Sequence, residues 1–295
     1  MTLKHFPIHF DSVSNTVKNF YNNHPFPGFD LTKYNMRDDL FRYATDYAKS
    51  LYMNIPYGKR IADIGCGTGQ FACMMSLRAS YVVGVDFSSS SVAKANALKE
   101  RLGLKNIDFF ISDIENMKNI GGKFDYIFCS GVLHHLKDPY REFSKISELL
   151  AEGGYIIIGI YNKYGRIALK IKRALIGSKN RDRAKIKAKI QKEHFTGKEA
   201  DIEKKTSWYL DQYLHPYENS FTIEEAISWF KRNNISYINS IPSIESFAGM
   251  KSAMRPFEKK DNSFLASSSK SLFIQLSWIW KLRNNGGYFI LIGRR

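Results

Sequence analysis

Asp63 and the glycines that follow it are the first residues whose types and spacing suggest chemistry. The aspartate sits inside an apolar run, Ile61-Ala62-Asp63-Ile64. An unpaired carboxylate is costly there, so it is expected to face a ligand or backbone donors. Gly65, Gly67 and Gly69 recur at alternate positions, and glycine allows backbone angles and a close ligand approach that a Cβ would block. Phe71, Ala72, Met74 and Met75 continue with a helical pattern, so the turn opens onto a helix N-terminus. A dinucleotide site wants G-x-G-x-x-G; here the third glycine comes one residue early. No Gly-Lys-Ser/Thr follows, which excludes a triphosphate P-loop. Further along, Asp86, Asp113 and the pair Cys129-Ser130 each close an apolar run, and His134-His135 follow the last of these. A histidine titrating near neutral pH is suited to removing a proton from an acceptor. Cys66 and Cys73 carry no mark of a thiolate and read as small packing residues.

These residues need a frame that brings them together. Apolar runs at 61–64, 81–85, 107–111, 124–129 and 155–160 read as strands. Helices are expected after Gly69, over 90–101, and from Asp138-Pro139 to residue 150, where Gly153-Gly154 end the last one. Strands spaced by helices imply right-handed crossovers and a parallel sheet, whose ligands sit beyond the carboxyl ends of the strands. Every candidate named above lies at such an end.

Upstream, Ser12 or Ser14 caps a helix to Tyr21 that Pro25 and Pro27 end, and a second helix is expected over 36–53. Phe20, Tyr21, Phe26 and Phe29 either cover the site or pack this extension onto the core. Downstream, 162–176 can form a helix, 177–205 has no core pattern, and 208–218 is aromatic. Thr222 and Glu225 are placed for a capping box on a helix to Phe230. A strand at 235–241, a loop over 242–269, an apolar helix at 270–282 and a strand at 288–292 complete the chain.

The order Asp-x-Gly-x-Gly-x-Gly, with the elements after it, resembles the class I S-adenosylmethionine-dependent methyltransferases over roughly 58–161, and less specifically over 222–295. The resemblance implies an α/β fold with a Rossmann-like, doubly wound seven-stranded sheet, six strands parallel and one antiparallel. That sheet would form a three-layer sandwich with a lid insertion after strand five. It implies S-adenosyl-L-methionine as cofactor and S-adenosyl-L-homocysteine as product. Asp63 and the turn through Gly65, Cys66, Gly67 and Gly69 would contact the methionine moiety. Asp86, with Phe87 beside it, would accept the ribose hydroxyls; Asp113 and the Ile114 amide would bind the adenine. Cys129 and Ser130 would line the methionine side. His134 and His135 would face the substrate, with His135 favoured as the base, or else both would position cofactor and loop. Tyr161, Asn162, Tyr213 and His215 form a second tier.

The segment after strand four reads Cys129-Ser130-Gly131-Val132-Leu133-His134-His135. It lacks the Asp/Asn-Pro-Pro-aromatic pattern that serves exocyclic amines in this family. The resemblance therefore points to a small-molecule hydroxyl or carboxyl acceptor, including a glycan or a lipid-linked one. One alternative is an RNA methyltransferase, since tRNA wobble-uridine enzymes also carry His-His there. Another is a non-catalytic nucleotide-binding protein on the same fold.

At 295 residues the chain divides into an N-terminal helical cover (1–58), a cofactor-binding core (59–161), a basic lid (162–220) and the rest of the core sheet (221–295). The net charge is +16, and 162–205 holds 15 Lys/Arg against 5 Asp/Glu. Such a patch meets RNA or an anionic membrane surface, or is simply solvated. The three cysteines lack paired metal-ligand spacing, so no metal is expected, and a reduced cytoplasm fits them. No run of about 18 apolar residues is present, and the first residues have no secretory h-region.

Overall fold

The apolar runs form parallel strands because helices cover both of their faces, leaving no side for water. The structure, a computed structural model, describes residues 4–5, 12–114, 117, 120–176, 202–242, 255–260, 268–282 and 286–295. The chain begins with β1 (Lys4–His5), α1 (Ser12–Asn23), α2 (Asp38–Arg42) and α3 (Asp46–Asn54). Then β2 (Arg60–Ile64), α4 (Gln70–Ser76), β3 (Tyr81–Asp86), α5 (Ser89–Arg101) and β4 (Ile107–Ile111) alternate, followed by β5 (Phe124–Ser130), α6 (Pro139–Glu148) and β6 (Leu150–Tyr161). The last part holds α7 (Ile167–Ile176), α8 (Ile202–Leu214), α9 (Ile223–Arg232), β7 (Ser236–Ile241), α10 (Ser268–Lys281) and β8 (Tyr288–Arg294).

The strand order is β1-β4-β3-β2-β5-β6-β8-β7. Only β8 runs antiparallel, to both β6 and β7. The expected seven-stranded sheet is present, and the two-residue β1 extends it at the β4 edge. Alternation along each strand sorts the core into two layers. Ala62, Ile64, Val83, Val85, Ile127 and Cys129 meet Phe143 of α6, Phe230 of α9 and Trp278 of α10. Ile61, Val82, Ile107 and Phe128 meet Leu51 of α3, Met74 of α4 and Leu98 of α5 on the other side.

The helix starts follow their capping residues. Ser88 accepts from the Ser91 amide, Asp138 from Arg141, and Thr222 with Glu225 forms the capping box. Two expectations need correction. The helix over 36–53 is two helices, because Thr45 leaves the helical conformation to cap α3 through the Ala48 amide. β6 starts at Leu150, so Gly153-Gly154 do not close α6. They sit inside the strand, where the pairing with β5 shifts register and Gly153 takes φ +70°. The aromatic stretch at 208–218, to which the sequence assigns no element, is helical as far as Leu214. The segments 177–201, 243–254 and 261–267 lie outside the described residues, and with them 8 of the 15 Lys/Arg of 162–205 and most of the loop expected over 242–269.

One side chain gathers several segments beyond β6. Arg166 is fully buried: its guanidinium pairs with the Glu218 carboxylate and donates to Gln212 Oε1 and to the Gly286 carbonyl. Its flat face lies 3.6 Å from the Tyr161 ring centroid. A buried ion pair of this kind is stable only when its remaining donors find acceptors, as they do here.

Candidate active site

A cavity of about 990 Å³ opens at the carboxyl ends of β2 to β6. The turn after β2 forms its floor. Gly67 has φ +51°, and a Cβ on it would stand 2.1 Å from the Phe26 carbonyl oxygen, so only glycine lets the N-terminal segment close over the turn. Thr68 fixes that closure by donating from Oγ1 to the Pro27 carbonyl at 2.8 Å.

Asp86 accepts the Gly67 amide at 2.9 Å and the Ser88 amide at 2.8 Å. Each of its oxygens keeps a lone pair for a ligand hydroxyl. Burial pushes its carboxyl up to about 6, although backbone donors oppose the shift. Asp63 is pushed up to about 7, first by burial and then by the Asp86 charge. Neither carboxylate makes an ion pair among the described residues. Two buried acids of this kind suit a ligand that carries hydroxyls and a cation.

Asp63, Gly65, Cys66, Gly67, Asp86, Phe87, Asp113, Ile114 and Ser130 all line this one cavity, as does His135. Six expected site residues, His215 among them, do not. Gly69 is the N-cap of α4, in the left-handed conformation. Cys129 precedes Ser130 on β5, so alternation turns it into the core. His134 is fully buried with its ring 4.0 Å from Tyr161, and Asn162 is fully buried with its side chain capping the turn through the Tyr164 and Gly165 amides. Tyr213 stacks on Tyr209. Of the proposed cover, Tyr21 and Phe26 line the cavity, whereas Phe29 packs on Tyr34 and Phe20 on His215.

The opposite wall was largely hidden in the sequence. Ser207, Asp211 and His215 recur every four residues, so α8 and the residue after it turn one face inward, and all three are buried. That spacing was the available signal for α8. Asp211 Oδ1 accepts the Tyr21 hydroxyl at 2.6 Å, and Oδ2 accepts Gln212 Nε2 at 3.1 Å and the Tyr161 hydroxyl at 3.3 Å. His135 is held through Nδ1, 2.9 Å from the Tyr217 carbonyl oxygen, which points Nε2 at Asp211 Oδ1, 3.9 Å away. The His215 ring stacks on His135, centroids 3.5 Å apart, with Nδ1 3.3 Å from the Tyr217 amide. Burial, and for His215 next the neighbouring His135, lowers the pKa of both imidazoles, so both are neutral. The Nε2 atoms of His135 and His215 have no hydrogen-bond partner among the described residues.

A family model described as a methyltransferase domain matches residues 56–241. An uncharacterised Synechococcus protein is 28% identical over 254 residues, covering 77% of this chain and 60% of that protein. A ubiquinone biosynthesis O-methyltransferase of Coxiella burnetii is 33% identical over 108 residues, covering 36% of this chain and 45% of that one. A tRNA U34 carboxymethyltransferase of Campylobacter hominis is 34% identical over 102 residues, 34% of this chain and 35% of that one. The chain thus spans less than two thirds of these relatives. Among solved structures, a geranyl diphosphate C-methyltransferase from Streptomyces coelicolor superposes with a TM-score of 0.54 at 14% identity, covering 98% of this chain and all of that one. That likeness shows a shared fold. No helix among the described residues is long and apolar enough to cross a membrane.

Proposed function

The chain belongs to the methyltransferase-domain family of class I S-adenosylmethionine-dependent enzymes, and from that premise we propose that it methylates an oxygen of a small-molecule acceptor. S-adenosylmethionine is the cofactor, and when bound it supplies a methyl group on a sulfonium. The floor fits it: Asp86 can accept the ribose hydroxyls, Asp63 the ammonium, and Gly67 leaves room for the backbone to approach. Asp113 and Ile114, which line the same cavity, would take the adenine.

The observation that carries the reading is the corner where His135 and Asp211 line the cavity opposite that floor. A methyl transfer of this type is an in-line displacement, governed by holding donor and acceptor in contact. The neutral imidazole and the carboxylate make an acceptor O–H nucleophilic by drawing off its proton. Tyr43, Phe71, Val132 and Tyr288 line much of the remaining wall, which suits an acceptor with an apolar or aromatic body. Of the segment expected to be a lid, α8 covers the cavity with Trp208 and Asp211. The similarity to an O-methyltransferase supports an oxygen acceptor.

The test is methyl transfer from labelled S-adenosylmethionine to phenol, benzoate and aniline offered in parallel. Label in the ether or the ester is expected, and label in the aniline alone overturns the proposal.

A further inference from the structure

Two imidazole Nε2 atoms, on His135 and His215, are buried without a partner among the described residues, and that of His135 points at the buried Asp211 carboxylate. Ligand-type atoms of His135, Asp211 and His215 lie within 4.8 Å of one another. Nε2 of both histidines is sealed from solvent and unbonded among the described residues. A stranded polar atom of this sort has a desolvation penalty of about 1–3 kcal/mol unless something occupies the space it faces.

We propose that His135, Asp211 and His215 form a binding site for one divalent cation of the zinc class. The proposal rests on the methyl-transfer reading and says how its acceptor corner works.

The donor chemistry selects the ion. Two imidazoles and one carboxylate suit zinc or cobalt, whereas calcium and magnesium prefer all-oxygen shells. His135 already has the supporting contact such a ligand needs. Its Nδ1 proton goes to the Tyr217 carbonyl, which fixes the ring and frees Nε2 for the ion. At His215 the Tyr217 amide lies 3.3 Å from Nδ1. Ligation through Nε2 places a proton on Nδ1 and gives up that long contact, so the amide must turn aside. A tetrahedral ion spaces its ligand atoms roughly 3.3 Å apart, so loading draws the three residues together by about an ångström. Asp211 supplies the one formal negative charge among the three, and the buried cation Arg166 is neutralised by Glu218.

His135 and Asp211 line the cavity and His215 stands behind them, so the open coordination position faces the acceptor. A hydroxyl bound there ionises more readily, and its proton leaves to water. The oxygen lone pair then forms the O–CH3 bond as the S–CH3 bond breaks, its electron pair staying on sulfur. With the ion bound, His135 therefore acts through it, and the proton goes to water instead of to the imidazole.

The ligands are distant in sequence, residue 135 against 211 and 215, and for that reason the cysteine spacing gives no hint of them.

The experiment titrates EDTA-treated, full-length protein with Zn2+ by calorimetry and with Co2+ by visible absorption. One ion per chain is expected. In Asp211→Asn and His215→Ala, affinity should fall by about a hundredfold or more, while S-adenosylhomocysteine binding stays intact. Paramagnetic proton spectra of the Co2+ form should show two shifted, exchangeable imidazole N–H signals, a readout that needs no variant. Absence of both signals, or wild-type Zn2+ affinity in the two variants, overturns the site. Full methyl-transfer turnover by metal-free enzyme overturns the ion's role in activation yet leaves the methyltransferase reading standing. Loss of S-adenosylhomocysteine binding by the wild type would instead sink that reading.

Discussion

The two walls of the cavity are built on different principles. The cofactor wall is short-range: Asp63, the glycine turn and Asp86 belong to two adjacent strands and the loop between floor and helix, and backbone amides hold Asp86 in place. The acceptor wall is long-range. Tyr21, His135, Asp211 and His215 come from α1, the turn after β5, and the end of α8, and they are held by one another and by the backbone of Tyr217, far from His135 in sequence. Backbone geometry follows from local sequence, whereas side-chain convergence depends on how distant segments dock. The first wall should therefore tolerate changes in the second, and the reverse should fail.

The largest expected effect breaks the first wall. Asp86→Ala removes the acceptor of two backbone amides and of the ribose hydroxyls, and cofactor affinity should drop by about 3 kcal/mol or more. Calorimetry with S-adenosylhomocysteine checks this, and an unchanged affinity places the cofactor elsewhere. His135→Ala strikes only the second wall. Turnover should fall by about a hundredfold or more with S-adenosylhomocysteine affinity unchanged; equal loss of both would erase the distinction between the walls. Tyr21→Phe is milder. It takes the 2.6 Å bond from Asp211, and should lower thermal stability by about 1–2 kcal/mol and weaken turnover while sparing the cofactor.

The smallest effect is a pH dependence confined to the floor. Asp63 and Asp86 titrate near 7 and 6 in the folded chain and near 4 when unfolded. The folded state holds those protons more tightly, so their contribution to stability is full below about pH 4 and is lost as pH rises through 7. Melting temperature without ligand should decline over that window. The ammonium of the cofactor favours the ionised acids, so affinity should rise over the same window. A flat profile in both would show that the two carboxylates do not share one pocket.

The contrast also explains what could be read from residues alone. The strands were legible because each is a bounded apolar run, and the helix starts because Ser88, Asp138 and Thr222 are cap-forming types. Asp63, Asp86 and Asp113 were legible because a parallel sheet gathers its strand ends. Parity was the weak point: Cys129 and Ser130 are neighbours, yet alternation sends one to the core and the other to the cavity. His134 and His135 divide in the same way on a single turn. Asp211 was missed altogether, since its meaning depends on Tyr21, 190 residues away, and no periodicity joins the two. The split at Thr45 shows a cap residue overriding an otherwise continuous amphipathic stretch.

The buried Arg166 has a consequence for the order in which these walls arise. Its guanidinium reaches the Gly286 carbonyl, 120 positions later, and in the same grip takes Gln212 and Glu218. Asp63, the glycine turn and Asp86 all precede β6 in the chain, whereas the catalytic half waits for the turn into β8 to be laid down. A growing polypeptide would thus acquire its capacity to hold the adenosyl donor well before it acquires the capacity to spend it.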